Sequence, residues 1–250
     1  MVKTVGIGHL TLGEGAPKRC VSFIGNNKAA IKTEIMLFKQ KKQAIDMIEW
    51  RVDCLDNWQE RTECEAIAQL IKAEIGETPV IFTCRTMREG GLAQVTAGSY
   101  SELLGWAINS SFFDAIDIEQ AWEEEMSSSL IQSAKSNGLV TLVSHHNFEE
   151  TPSIEAMVTL LSKAEQLGGD IPKLAVMPQT KMDVLRLLEA TLLLSGRSKG
   201  QPVITMSMGE LGQVSRVIGS FSGSALTFGS LQQASAPGQI EVETLAQMMN

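Results

Sequence analysis

A lysine stands almost alone among hydrocarbon in the run Ile171-Pro172-Lys173-Leu174-Ala175-Val176-Met177, with Asp170 the nearest other ionisable residue. Burial disfavours an ammonium, and the free amine it leaves can attack a ketone to form an imine. A lysine that snorkels at the strand end, or pairs with a carboxylate, would carry the same sequence. Two of the three histidines, His145 and His146, sit in Ser144-His145-His146-Asn147-Phe148 at the end of another apolar run. Imidazole moves protons near neutral pH, although a capping or packing histidine fits the position as well. Adjacent strand residues face opposite ways, so one of the two rings is expected to point into a shared site. The segment Thr83-Cys84-Arg85-Thr86-Met87-Arg88-Glu89-Gly90-Gly91 carries two guanidiniums and a carboxylate into a Gly-Gly turn, a composition that a solvated loop shares.

Metal chemistry finds little support in the spacing. There is no HExxH or His-x-His pattern, and the four cysteines (Cys20, Cys54, Cys64, Cys84) form no CxxC pair, which leaves Asp117 and Glu119 as the carboxylates that could contribute ligands. Gly219-Ser220-Phe221-Ser222-Gly223-Ser224 has the composition of a phosphate cradle where barrels often place one, but a flexible turn fits it better. Met206 and Met208 read first as core fillers.

These groups need elements to position them. Short β-rich runs at 19–24, 45–53, 79–85, 113–119, 139–146, 171–177, 202–208 and 225–229 alternate with helical periodicity at 28–42, 60–75, 99–109, 126–136, 153–167, 181–194 and 211–218, and a last helix is expected over 240–249. Eight βα units in 250 residues predict a single (β/α)8 barrel over 1–250, with an open doubly wound sheet as the alternative. Against the open sheet, the first βα turn lacks GxGxxG, and polar residues recur at strand ends, where a barrel builds its site. Residues 1–18 suggest an extra hairpin over the barrel's N-terminal mouth. Within 45–53, Met47, Glu49, Arg51 and Asp53 share one face and Ile48, Trp50 and Val52 the other, so the charged set is expected inside the barrel.

Composition bounds the partners. With 44% apolar and 20% charged residues the chain can build a sizeable core, and a net charge of −8 has the wrong sign for a general phosphate-backbone binder. An anionic substrate must therefore be met by a few placed arginines. No uncharged run approaches the roughly 20 residues of a membrane span, and no secretory signal pattern opens the chain, so a soluble cytoplasmic protein without membrane or nucleic-acid partners is expected.

Taken in order, Glu49-Trp50-Arg51-Val52-Asp53, Thr83-Cys84-Arg85 with Glu89-Gly90-Gly91, Ser144 to Phe148 before Thr151-Pro152, Lys173-Leu174-Ala175-Val176-Met177-Pro178, and Ser235-Ala236-Pro237-Gly238-Gln239 resemble type I 3-dehydroquinate dehydratase over nearly the whole chain. The resemblance implies a (β/α)8 barrel, usually dimeric, that converts 3-dehydroquinate to 3-dehydroshikimate in the shikimate pathway without metal or organic cofactor. By motif position, Lys173 matches the imine-forming lysine, His146 the general acid and base of the syn elimination, and Glu89 the carboxylate paired with that histidine. Arg216 matches the binder of the substrate carboxylate. Glu49, Arg51 and Arg85 match its polar-ring contacts, and Ser235 and Gln239 lie on the loop that closes over it. Ser22, Phe148, Met206, Met208, Phe228 and Ala236 match lesser wall or hydrogen-bonding positions. His145 departs from the pattern, since relatives commonly carry Tyr, Asn or another residue there; strand parity makes it a helix-facing or neighbouring group.

Two other functions share parts of this sequence. A class I aldolase would use the same iminium but would need a phosphate site, and a noncatalytic barrel could bind a cyclic acid. Intact Lys173, His146 and Glu89 argue against the binder, and Arg216 with Ser235 and Gln239 suits a ring carboxylate better than a phosphate.

Overall fold

The computed structural model describes residues 3–197 and 200–249. A two-stranded antiparallel hairpin, β1 (Val5–Ile7) and β2 (Leu10–Leu12), turns through Gly8, whose φ of +56° suits glycine. Eight parallel strands follow: β3 (Lys18–Phe23), β4 (Met47–Arg51), β5 (Val80–Thr83), β6 (Ala115–Glu119), β7 (Val140–Asn147), β8 (Ile171–Val176), β9 (Ile204–Ser207) and β10 (Leu226–Gly229). From β3 to β9 each pairs with the next in sequence, and β10 pairs with β3. At the last seam, Ala225 N donates to Val203 O at 2.8 Å and Thr205 N donates to Ser224 Oγ at 3.1 Å, which brings β10 against β9 and nearly closes the barrel.

Helices α1 (Lys28–Lys41), α2 (Arg61–Ile75), α3 (Ala97–Asn109), α4 (Glu124–Ser136), α5 (Ile154–Gln166) and α6 (Lys181–Ser195) fill the crossovers. Their starts are written locally: Asn27 accepts from Ala29 N and Ala30 N, Thr96 and Ser99 form a capping box, and Ser153 accepts from Ala156 N. The helix expected over 211–218 is instead split into α7 (Gln213–Val217) and α8 (Gly219–Ser222), before α9 (Val242–Met249) closes the chain. The Gly219–Ser224 segment therefore leads into the N-terminal end of β10. Gly219 is packed so closely on Pro17 that a Cβ would lie 2.7 Å from its ring, at the opposite end from a barrel's catalytic face. That placement disfavours the phosphate cradle, and the flexible turn that the sequence favoured there is corrected to the short helix α8.

Strand parity sorts the core into two systems. Outward-facing Trp50 and Phe82 join Phe113 under the helices, with ring centroids 4.9 to 5.8 Å apart. Inward, Cys20, Met47, Ile81, Ala115, Leu142, Ile171, Ile204 and Leu226 form one apolar cluster that Ile7 and Leu12 of the hairpin join, so the hairpin plugs the N-terminal mouth. One step further along the same faces, Ser22, Glu49, Thr83, Asp117, Ser144 and Lys173 are polar and buried. β4 stops at Arg51, short of the expected residue 53. There Asp53 accepts from Arg51 and from the backbone N–H groups of Arg85 and Leu92, which turns the chain through a short 3-10 segment at Val52–Cys54.

Candidate active site

Lys173 projects from the middle of β8 into the barrel and is 4% exposed. Its Nζ lies 2.9 Å from Asp117 Oδ2 on β6 and 3.4 Å from Glu49 Oε1 on β4, and 4.8 Å from the centre of the Phe228 ring. The strand alone left open an amine wrapped in hydrocarbon or one paired with a carboxylate; β6, two strands away, and β4, across the barrel, supply two carboxylates. Glu49 also accepts from Ser22 at 2.6 Å and Thr83 at 3.0 Å. Burial would raise its pKa, but Lys173 and Arg51 outweigh that and hold it below the usual carboxylate range.

Arg85 forms the hub beside this cluster. Its guanidinium donates to Asp117 Oδ1 at 2.8 Å, Glu119 Oε1 at 3.1 Å, Ser144 Oγ at 2.9 Å and Glu89 Oε2 at 3.3 Å. Asp117 is buried yet held well below the ordinary carboxylate range, because Arg85 and Lys173 outweigh its desolvation. Asp117 and Glu119, read from sequence as conceivable metal ligands, spend their oxygens on Lys173, Arg85, Ser144 and Thr86. Among the described residues no group of three His, Cys, Asp or Glu side chains is arranged to hold a metal.

Glu89 reaches the site because the chain doubles back at Gly90-Gly91. Gly90 has φ +77°, and a Cβ there would lie 2.3 Å from the Phe148 ring, so only glycine lets the turn pack against that wall. His146 Nδ1 is 2.8 Å from Glu89 Oε2, and the His146 ring stacks on Phe148 with centroids 6.5 Å apart. Burial raises the Glu89 pKa, but contacts with His145, His146 and Arg85 overcome it and bring it down to about 2. An ionised carboxylate only accepts, so His146 Nδ1 carries the proton and Nε2 keeps its lone pair. Burial and Arg85 lower the His146 pKa to about 4 against the pull of Glu89, so the ring is neutral at physiological pH and ready to act as a base. His145 does not turn away to the helices: its half-buried ring places Nδ1 3.4 Å from Glu89 Oε1.

The segment after β10 folds over this assembly. Ser235 Oγ donates to Ser22 Oγ at 3.0 Å, Ser235 N donates to Gln239 Oε1 at 2.8 Å, and Gly209 N donates to Pro237 O at 3.2 Å. Gly238, at φ +76°, lies so close to Gly209 that a Cβ would sit 2.1 Å from its carbonyl oxygen. Arg216 on α7 lies behind the wall of Met206 and Phe228, 1% exposed. It donates to Pro237 O at 3.1 Å and Phe228 O at 3.5 Å, its Nε has no partner, and no carboxylate pairs with it among the described residues. Burial alone draws its pKa down to about 10.

The structure thus brings the sequence-selected residues into one place. Lys173, His146, Glu89, Glu49, Arg51 and Arg85 line a single cavity, walled further by Phe148, Met206, Met208, Phe228, Ser235, Ala236 and Gln239, and with room for about 50 Å³ of solvent. Ser22 and Arg216 stand just behind that lining. Sequence reading missed the positioning work of Asp117, Glu119 and Ser144, and missed Tyr100, whose hydroxyl accepts from Glu119 N at 3.0 Å. The alternation of Asp117 and Glu119 with Ile116 and Ile118 carried the signal for the first two.

The same arrangement is shared with known proteins. The family model for type I 3-dehydroquinase matches residues 19–250. The 3-dehydroquinate dehydratase of Bacillus licheniformis is 40% identical over all of this chain and 98% of its own, and that of Listeria innocua is 40% identical over 98% and 96%. Among solved structures, a type I 3-dehydroquinate dehydratase from Clostridium difficile, with covalently modified comenic acid, superposes with a TM-score of 0.94 at 37% identity, covering 100% of this chain and 97% of that one. The Geobacillus kaustophilus 3-dehydroquinate dehydratase superposes with a TM-score of 0.94 at 31% identity, over 99% and 95%. With fold, strand order and full-length similarity in agreement, the chain belongs to the type I 3-dehydroquinase family.

Proposed function

We propose that this 3-dehydroquinate dehydratase of aromatic biosynthesis works through an imine on Lys173, with His146 as the proton carrier and Arg216 as the anchor of the substrate carboxylate. The observation that carries the reading is one cavity shared by a buried amine, a neutral imidazole oriented by Glu89, and, just behind its wall, a buried guanidinium without a carboxylate of its own. A substrate carboxylate supplies the missing counter-charge in a fork geometry.

The chemistry follows from these positions. Lys173 passes a proton to Nε2 of His146 and its nitrogen attacks the ring ketone; that proton and a second one from the nitrogen leave on the ketone oxygen as water, which gives a protonated imine and restores the neutral imidazole. The iminium withdraws electrons from the adjacent C2–H bond, and Nε2 of His146 takes the proton. The resulting enamine expels the C1 hydroxyl, which leaves as water with the proton His146 returns, and hydrolysis of the product iminium regenerates the lysine. Water consumed in that hydrolysis balances water released on imine formation, so the net change is one dehydration. Asp117 and Glu49, which flank the nitrogen, stabilise the iminium when it forms.

Ser235, Ala236 and Gln239 line the cavity from the segment after β10, and lifting and reseating of that segment would admit the substrate and then exclude water from it. An aldolase of the phosphate-sugar kind is less well supported, because the Gly219–Ser224 segment lies at the far end of the barrel. A cytoplasmic homodimer completes the proposal. Among the described residues no helix is long and apolar enough to cross a membrane, and Met182, Leu185, Leu192 and Leu193 expose an apolar stripe on α6 that a second copy would cover.

The test is reductive trapping. Borohydride added with 3-dehydroquinate is expected to inactivate the enzyme and leave one reduced adduct, mapped by peptide mass to Lys173, while the conjugated enone product forms in its absence. An adduct on another lysine, or turnover that survives Lys173→Ala, overturns the assignment.

A further inference from the structure

Glu89 offers two oxygens and the mechanism uses one. Oε2 receives His146 and Arg85, whereas Oε1 is buried and has no hydrogen-bond partner among the described residues. The polar group that faces it is the ring of His145, with Nδ1 at 3.4 Å. That separation is a few tenths of an ångström beyond a hydrogen bond, a gap that a small rotation of a half-buried ring closes.

We propose that His145 is a positioning residue: its Nδ1–H engages Glu89 Oε1 and, opposite His146 on Oε2, clamps the carboxylate so that His146 keeps its proton on Nδ1 and its lone pair on Nε2. The proposal rests on the reading of His146 as the reaction's base. Other groups cannot take the place of His145. Arg85, from the end of β5, is committed to Asp117, Glu119 and Ser144 and meets Glu89 on Oε2; Glu119, from the end of β6, is an acceptor. The charged and titratable groups thus facing Glu89 are Arg85, Glu119, His146 and His145. Two adjacent residues of β7 can both reach it because Glu89 sits in the 3-10 turn Met87–Glu89, which overhangs the end of that strand. A carboxylate held at both oxygens cannot rotate, and a carboxylate that cannot rotate selects one tautomer of its histidine.

The experiment compares wild type with H145F, which has no donor, and H145N, whose amide nitrogen falls near the position of imidazole Nδ1. In the resting protein at neutral pH, ¹⁵N spectra of the imidazoles are expected to show His146 as the Nδ1–H form in wild type and H145N, and as a mixture of tautomers in H145F. In turnover, H145F is expected to lose about tenfold in kcat with KM nearly unchanged, and the acidic limb set by His146 should move to higher pH, because a carboxylate short of one donor accepts more strongly from His146 and favours the imidazolium. H145N should recover both. H145L serves if H145F does not fold. An unmoved acidic limb and an unchanged His146 tautomer in H145F overturn the proposal, as does an H145N variant as impaired as H145F. Absence of dehydratase turnover in wild type would refute the functional reading and leave the tautomer comparison standing.

Discussion

Replacing Arg216 by methionine should stabilise the resting protein and ruin its affinity for substrate, two effects of opposite sign from one substitution. The guanidinium is 1% exposed and bonded to neutral acceptors alone. Its pKa falls to about 10, because burial penalises the charge and nothing nearby repays it. A base with a folded pKa below its unfolded one binds its proton more weakly in the fold, so the charge destabilises the native state at every pH below about 10 and the penalty fades only above that value. At ~1.4 kcal/mol per pH unit, that fall sets the penalty at ~3 kcal/mol.

Methionine removes the charge, fills most of the volume, and leaves the carbonyls of Phe228 and Pro237 without their donor, a loss of ~1–2 kcal/mol in total. The expected balance is a gain of ~1–2 kcal/mol, or a rise in Tm of roughly 2–8 °C for a chain of this size. With substrate the sign reverses. Truncating one member of a buried charge pair costs ~2–5 kcal/mol, which raises Kd or KM from about 30-fold to several thousand-fold. Thermal denaturation without ligand and titration or initial-rate kinetics with 3-dehydroquinate measure the two halves separately. A Tm that falls by several degrees, with KM near wild type, would show that Arg216 is a structural cation and would refute its role as the carboxylate anchor.

Three further outcomes follow from the same geometry. Glu89, with its carboxyl lowered to about 2, contributes stability above its unfolded pKa that is lost as pH falls from about 5 toward 2; Glu89→Gln should flatten Tm against pH across that window by ~3 kcal/mol, and an unaltered slope would contradict it. Because His146 titrates at about 4, kcat/KM should hold level through pH 6 and bend down only near pH 4, whereas a limb at 6.5 would mean an imidazole open to solvent. Gly238→Ala places a methyl 2.1 Å from the Gly209 carbonyl oxygen, so the lid should seat badly, lowering kcat/KM by ~10–100-fold with Tm almost unchanged; full activity would show that this contact is dispensable.

The fold was readable because barrel strands announce themselves twice, by spacing and by parity. Met47, Glu49 and Arg51 could be assigned inward from alternation alone, Asp53 of the same set falls past the strand's end in the Val52–Cys54 turn, and the choice of His146 over His145 came from the family motif and not from parity. Partnership was another matter, since it depends on the register between strands, which a single sequence does not show. Lys173 looked solitary within β8 because both of its carboxylates arrive from elsewhere, Asp117 from two strands away and Glu49 from across the barrel. His145 defeated the parity rule for a related reason: alternation fixes which side of the sheet a Cβ leaves, but a residue at a strand's end can still meet a turn that overhangs it. The β9-to-β10 crossover was harder to read because the Gly-Ser composition of Gly219–Ser224 does not reveal which end of the barrel it occupies.

The barrel's layering explains how so many charges tolerate burial. Below them the hairpin and the apolar layer exclude water without any polar demand, and there the chain gains its hydrophobic stabilisation. Above, each carboxylate is met by more than one donor, so Glu49, Glu89 and Asp117 remain ionised and fixed in direction. This matters for the proposed imine mechanism because an iminium on Lys173 would carry its positive charge between Asp117 and Glu49. Both carboxylates are already fixed toward that nitrogen, so little reorganisation would accompany the change. Arg216 beside them has no carboxylate partner among the described residues; on the proposed reading the substrate's carboxylate supplies one, so the desolvation penalty of the guanidinium and the affinity for that ligand have a single physical origin.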